Sequence, residues 1–185
     1  MANFIGDKLY LTLYILPIKF LLHLSSSKHT MNQELKELYE EDLADRESQD
    51  MELALLEERD RERKERVEEL ISQGKLKVAE DYHHAALIFQ HGYVVADYDR
   101  ANELAKKAVE LGDNSARWLY AATKDRSLLS QGLPQKYGTQ FMKNSDGEWV
   151  LVEPIDPNTT DEERAEWDVP PLDEALPKFK DRYGL

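Results

Sequence analysis

Four glycines fall at nearly even intervals. The segments "ISQG", "FQHG", "VELG" and "LSQG" end at Gly74, Gly92, Gly112 and Gly132, with spacings of 18, 20 and 20 residues. Glycine is favoured just past a helix C-terminus, because only a residue without Cβ takes the left-handed turn there at no steric cost. A regular series of such residues behind apolar-periodic stretches marks regular helix ends, so each unit is one helix plus one turn.

The intervening residues agree. In "YDRANELAKKAVELG", Ala101, Leu104, Ala105, Ala108 and Leu111 recur at i, i+3, i+4, i+7 and i+10, which draws one apolar stripe along a helix. Trp118, Leu119, Ala122 and Leu129 draw another, with Asn114 or Ser115 available as N-cap. Small residues on facing stripes let helices approach closely. The two-helix period of 38 to 40 residues resembles the helical hairpins of the Sel1 and tetratricopeptide class. Too few units are present for a free-standing solenoid. The spacing predicts a mainly α fold, a compact bundle of repeat-like helical hairpins, with helices at 33–46, 51–73, 78–91, 99–111 and 115–130.

Beyond Gly132 the pattern changes. Two β-favouring runs flank Asp146-Gly147 in "YGTQFMKNSDGEWVLVEP", a strong hairpin signal, so a small C-terminal β-hairpin is expected to cap the bundle. Past Pro154 come further prolines and a capping box, Thr160 to Glu163, predicting a short helix and then an extended tail lying on the domain. The expected divisions are an apolar N-terminal extension at 1–30, a helical domain with its hairpin at 31–153, and a proline-containing tail at 154–185.

Residues 1–30 differ in kind from the rest. Their apolar run, Leu9 to Leu24, is shorter than the roughly 20 residues a membrane span needs and carries Pro17 and Lys19 near its middle. A secretory signal would open with basic charge and end in a small-residue cleavage site, and neither is present. A third reading takes Met31 as the natural start, because a clean helical pattern begins there. A cytoplasmic chain is expected if so, and a secreted or membrane-anchored one if the extension is genuine.

The formal net charge of −13 argues against nucleic-acid partners, which call for clustered Lys and Arg. With no cysteine, thiolate nucleophiles, disulfides and Cys-based zinc sites are excluded. No nucleotide or cofactor signature stands out, and no cofactor is expected. The mixed-sign run from Glu57 to Glu69 reads as a solvated helix face. Trp118, Tyr120, Trp149 and Trp167 read as core residues rather than a stacking platform.

Polar chemistry gathers in three short motifs. In "EDYHHAALIFQHG", Glu80 and His84 share a helix face at i, i+4, but His91 lies two turns beyond His84, too far to share one ion, so no metal site is expected. His91 falls at a helix C-terminus beside Gln90, as either a capping group or a general base. Asp125 falls on an apolar stripe and must find partners if it is buried. Arg126 faces about 100° further round the helix, so either a different basic group or several donors from the "QKYGTQ" segment should satisfy Asp125. Gln135, Tyr137, Thr139 and Gln140 either serve that structural purpose or line a ligand pocket, with Gly138 letting backbone approach closely.

The motifs "DYHHAALIFQHG", "DYDRANELAKKAVELGDNSARWLYAATKDR" and "GLPQKYGTQ", in this order and spacing, resemble an uncharacterised bacterial family, the domain of unknown function numbered 6624. The resemblance runs from about Asp60 to Phe141. It implies a bacterial-type protein with a polar signature of Gln90, His91, Asp125, Arg126, Gln135, Tyr137, Gly138, Thr139 and Gln140, and it supplies no mechanism.

Three functions are compatible with these residues. The leading one is a binding protein whose pocket forms where "FQHG", "KDR" and "QKYGTQ" meet, taking a small polar molecule or a peptide segment. The second is a hydrolase or lyase using His91 as general base with Asp125 or Arg126. The third is a helical scaffold for a partner protein, which would present a large exposed apolar patch.

Overall fold

The computed structural model describes residues 30–48 and 50–184. The expected apolar extension therefore lies, apart from Thr30, outside the described residues. In chain order the elements are α1 (Gln33–Glu47), α2 (Leu53–Ser72), α3 (Ala79–Phe89), α4 (Val95–Glu110), a 3-10 turn (Asn114–Ala116) leading into α5 (Arg117–Ser130), β1 (Phe141–Lys143), β2 (Trp149–Leu151), α6 (Asp161–Glu166) and α7 (Leu172–Tyr183). The fold is mainly α with one small antiparallel hairpin, as the periodicity predicts. No helix among the described residues is long and apolar enough to cross a membrane.

Three of the four glycines do what their spacing implies. Gly74, Gly112 and Gly132 take φ of 62°, 103° and 71°, closing α2, α4 and α5. Gly92 does not take a positive φ. A Cβ there would lie 2.2 Å from the Asp97 side chain, so this glycine makes room for a carboxylate instead of turning the backbone. The same carboxylate accepts from the Tyr93 backbone N–H at 3.1 Å and thereby starts α4 at Val95, earlier than the expected 99.

Two smaller expectations also change. The N-terminal cap before α5 is Asp113, which accepts from Ser115 N at 3.0 Å, in place of Asn114 or Ser115. Leu111, expected on the α4 stripe, is 46% exposed because the helix ends beneath it.

The core is built from Leu35 of α1, Val67 and Leu70 of α2, Ala85, Ala86, Ile88 and Phe89 of α3, Ala101, Leu104 and Ala105 of α4, and Leu119 of α5. Alanines at the crossings let α3, α4 and α5 approach, while each fully buried Leu or Ile contributes about 1.5–3 kcal/mol. A second cluster joins Ala121, Tyr137 and Val169, with Tyr120 stacked on Trp167 at 3.9 Å between ring centres.

The C-terminal segment corrects the expected extended tail. After the capping box formed by Thr160 and Glu163, the chain makes α6 and then a second helix, α7, capped by Gly184 in the left-handed region. Proline does not prevent α7, since Phe179 anchors it on the hairpin through Phe141 at 4.3 Å and Trp149 at 5.1 Å. Gly138 (φ 80°) permits this docking: a Cβ there would meet Leu172 of α7 at 2.6 Å.

Candidate functional site

Two adjacent residues of α5, Asp125 and Arg126, open onto two different polar centres. Asp125 is fully buried. One carboxylate oxygen accepts from Lys136 N (2.7 Å) and Tyr137 N (2.8 Å), and the other accepts from Thr139 N (2.9 Å) and Thr139 Oγ1 (2.8 Å). Burial is the largest influence on this carboxyl and raises its pKa, while the four donors act in the opposite direction. The donors to Asp125 come from the "QKYGTQ" segment as expected, through Tyr137 and Thr139 together with the Lys136 backbone, whereas Gln135 and Gln140 do not reach it.

The rest of that loop is nearly closed upon itself. Gln135 donates through Nε2 to Val152 O and accepts at Oε1 from Gln140 N (2.8 Å). Gln140 donates to Ala122 O (3.1 Å) and to Thr139 Oγ1 (3.0 Å), leaving only its Oε1 without a partner. The Tyr137 carbonyl accepts from Nε of the buried Arg164, which also donates to Thr159 O, so α6 is tied to the same loop. Sequence reading did not single out Arg164.

Arg126 turns the other way. Its Nη1 donates to Gln90 O at 2.5 Å, capping the end of α3, and its guanidinium lies 5.6 Å from the Tyr98 ring centre. Its Nε is buried without a partner. Burial draws its pKa down to about 10, which still leaves it charged at neutral pH. Gln90 is buried and belongs to this centre through its carbonyl, whereas Gln135, Tyr137, Thr139 and Gln140 gather at the Asp125 centre.

His91, next to Gln90, faces residues that the sequence did not single out. Its side chain is 7% exposed, and Nδ1 lies 2.9 Å from Asp42 Oδ2 and 2.7 Å from Arg46 Nε, both on α1. Arg46 also reaches Asp60 of α2 at 2.8 Å, and Arg63 reaches Asp60 at 2.7 Å, Asp45 at 2.6 Å and Asp42 at 3.5 Å. The Tyr93 hydroxyl donates to Asp60 at 2.9 Å. Asp42, Asp45, Asp60 and Arg63 are all buried. The run Glu57 to Glu69, expected to be a solvated face, thus sends Asp60 and Arg63 into the interior.

The geometry around His91 is over-determined. Arg46 Nε always carries its hydrogen. If Nδ1 holds the ring proton, it donates to Asp42 and confronts the Arg46 N–H. If Nε2 holds it, Nδ1 accepts from Arg46 and turns its lone pair on the carboxylate. Under both tautomers Nε2 is buried with no partner. Burial, the largest influence, lowers the ring's pKa, and Arg46 and Arg126 add to this against Asp42, so the ring is neutral at pH 7. Burial alone would raise the Asp42 carboxyl, but the hydrogen bond at His91 and the charge and hydrogen bonds of Arg46 hold it below the ordinary carboxylate range. A neutral imidazole oriented at one nitrogen and uncommitted at the other can accept or donate one proton or hydrogen bond there.

The other histidines stay apart. His83 pairs with Asp113 at 2.7 Å, and His84 stacks on Tyr39 at 4.4 Å between ring centres with its pKa lowered by burial to about 4. Among the described residues no three His, Asp or Glu side chains converge on a possible metal position. A small cleft lies elsewhere, between the Gly138 turn and α7, lined by Trp118, Phe141, Phe179 and Arg182 among others.

These features define a mainly helical chain with one closed and one open polar centre. The sequence matches the family of unknown function DUF6624 over residues 27–185, and the chain belongs to that family. No curated protein and no solved structure matches it.

Proposed function

We propose that this protein is a binding protein that takes a small polar molecule at the centre formed by His91, Arg126 and Gln90 with Asp42 and Arg46. The supporting observation is the pair of unpartnered buried nitrogens, His91 Nε2 and Arg126 Nε, on side chains joined through Gln90. A buried donor or acceptor without a partner costs about 1–3 kcal/mol, and a ligand that pairs both recovers that cost on binding. The Asp125 loop serves as the frame that fixes α5 and hence Arg126.

The test is to follow the His91 ring nitrogens by NMR while screening small polar molecules. A binder should shift Nε2 saturably, and His91→Asn or Arg126→Gln should weaken it at least tenfold, whereas Arg61→Gln on the exposed face of α2 should not. A binder unaffected by both central changes would refute the site.

A second reading has its own observation, the Asp42–His91 contact. A carboxylate on one imidazole nitrogen with the other nitrogen free is the arrangement of a general base, in a hydrolase or lyase. In that reading Asp42 orients the ring, and Asp125 is committed to the loop. It predicts a rate that falls as His91 is protonated and collapses in His91→Asn with binding retained. The scaffold reading has less support, because the exposed large hydrophobic residues, Leu53, Leu55, Tyr93, Val94, Leu111 and Leu133, belong to four separate segments.

A further inference from the structure

Charge bookkeeping around the open centre leaves one cation over. Asp42, Asp45 and Asp60 are met by three guanidiniums: Arg46 and Arg63 as described, and Arg59, which bonds Asp45 at 2.5 Å. His91 is neutral. Arg126 has no carboxylate within ion-pair distance among the described residues; its neighbours are a backbone carbonyl and a tyrosine ring. The end of α3 supplies about half a negative charge through that carbonyl, which leaves the rest of the cation uncompensated. Arg126 is partly buried and its Nε is fully withdrawn from water, where a charged donor is ordinarily paired.

The geometry also says which edge is free. Nη1 is taken by Gln90 O, whereas Nε is buried without a partner and Nη2, which shares the side edge of the guanidinium with it, makes no hydrogen bond among the described residues. Two parallel N–H groups on one edge match the two oxygens of a carboxylate or phosphoryl group.

We propose that the ligand of this centre carries an oxyanion, a carboxylate or a phosphoryl group, which docks on the Nε–Nη2 edge of Arg126. This rests on the binding reading above and narrows its chemistry. His91 Nε2 then contacts a second polar atom of the same molecule.

The test uses the full chain and two simple probes, inorganic phosphate and acetate, at constant ionic strength set with chloride. The Arg126 Nε–H signal is followed by NMR and assigned by its absence in Arg126→Lys. A saturable shift of that signal and a melting temperature that rises with probe concentration are expected. Both should be lost in Arg126→Gln and kept in Arg61→Gln. Arg126→Lys, which retains the charge and the cap on α3, should keep a weakened response if Arg126→Gln proves too unstable to use. Response to phosphate alone assigns a phosphoryl ligand, and response to acetate alone assigns a carboxylate.

The proposal is overturned if neither anion moves Arg126 Nε–H, or if the response survives in Arg126→Gln. Acetamide and glycerol separate the two levels of inference. If they shift the His91 ring while the anions do nothing, the oxyanion is wrong and the binding site stands. If no probe moves either residue, both fall.

Discussion

The two faces of α5 handle buried polarity in opposite ways. At Asp125 every lone pair the carboxylate offers is answered, three times by backbone and once by a hydroxyl, and the loop that answers it carries α6 and α7 with it. One residue further along α5, Arg126, and beside it His91 after α3, each keep a buried nitrogen unanswered, although each carboxylate behind them is met by a guanidinium. The same chain that answers every lone pair of Asp125, and leaves only Gln140 Oε1 over in that loop, leaves the other centre open at two nitrogens. On the binding reading proposed above, the difference separates a polar group that builds the fold from one held for a ligand.

The largest effect should come from the frame behind the open centre. Arg63→Ala strips a shared partner from Asp42, Asp45 and Asp60, and breaking a buried ionic network in this way costs about 3–5 kcal/mol. Urea denaturation checks this. A loss under 1 kcal/mol would show that the network is solvated and would undo the contrast between the two faces.

Acid sharpens the comparison. His84 and His91 are neutral in the fold with pKa values below the ordinary 6.5, so unfolded chains bind protons that the folded protein refuses. Their contribution is intact above about pH 6.5 and is lost as pH falls, for His84 down to about 4. For His84 this is at most about 3 kcal/mol. His84→Phe keeps a ring against Tyr39 and removes that titration, so the acid loss remaining between pH 7 and about pH 5, above the range where carboxylates titrate, should report His91. If unfolding free energy in that variant were flat from pH 7 to 5, His91 would be solvated.

Next in size is Gly138→Ala, expected to cost about 1–3 kcal/mol, since it places a Cβ at positive φ against Leu172. Its heteronuclear NMR spectrum should show the change confined to the Asp125 loop and α7, with the His91 ring signal unmoved. A shift at His91 would mean that the two centres are coupled.

Much of this was legible in the sequence. Glycine spacing located the helix ends because left-handed caps recur at fixed intervals, and Asp146-Gly147 and the Thr160–Glu163 box announced themselves through turn and cap chemistry. Asp125 was readable because a carboxylate on an apolar stripe must find donors. The open centre was only half visible. Gln90, His91 and Arg126 lie in recognisable motifs, but Asp42, Arg46, Asp60 and Arg63 are hidden in charge-rich helices where mixed signs ordinarily face water. A signal did exist. The α1 stripe of Leu35, Leu38 and Tyr39 continues in register to Asp42 and Arg46, and Val67 and Leu70 of α2 extend back to Asp60 and Arg63. Charges that continue an apolar register are inward-facing, and two helices doing so together mark a buried network. Tyr93 had no such signal, since it sits in a turn.

The central claim is that Asp125 is structural and His91 is not, and the unfolding free energies of Asp125→Asn and His91→Asn, measured side by side, test it most directly. Asp125→Asn should lose about 1–3 kcal/mol, because its amide turns donors toward donors. His91→Asn should change stability by less than about 1 kcal/mol or raise it, as expected of a group held in place at the fold's expense. A His91→Asn loss equal to that of Asp125→Asn would contradict the account and make both centres parts of the frame.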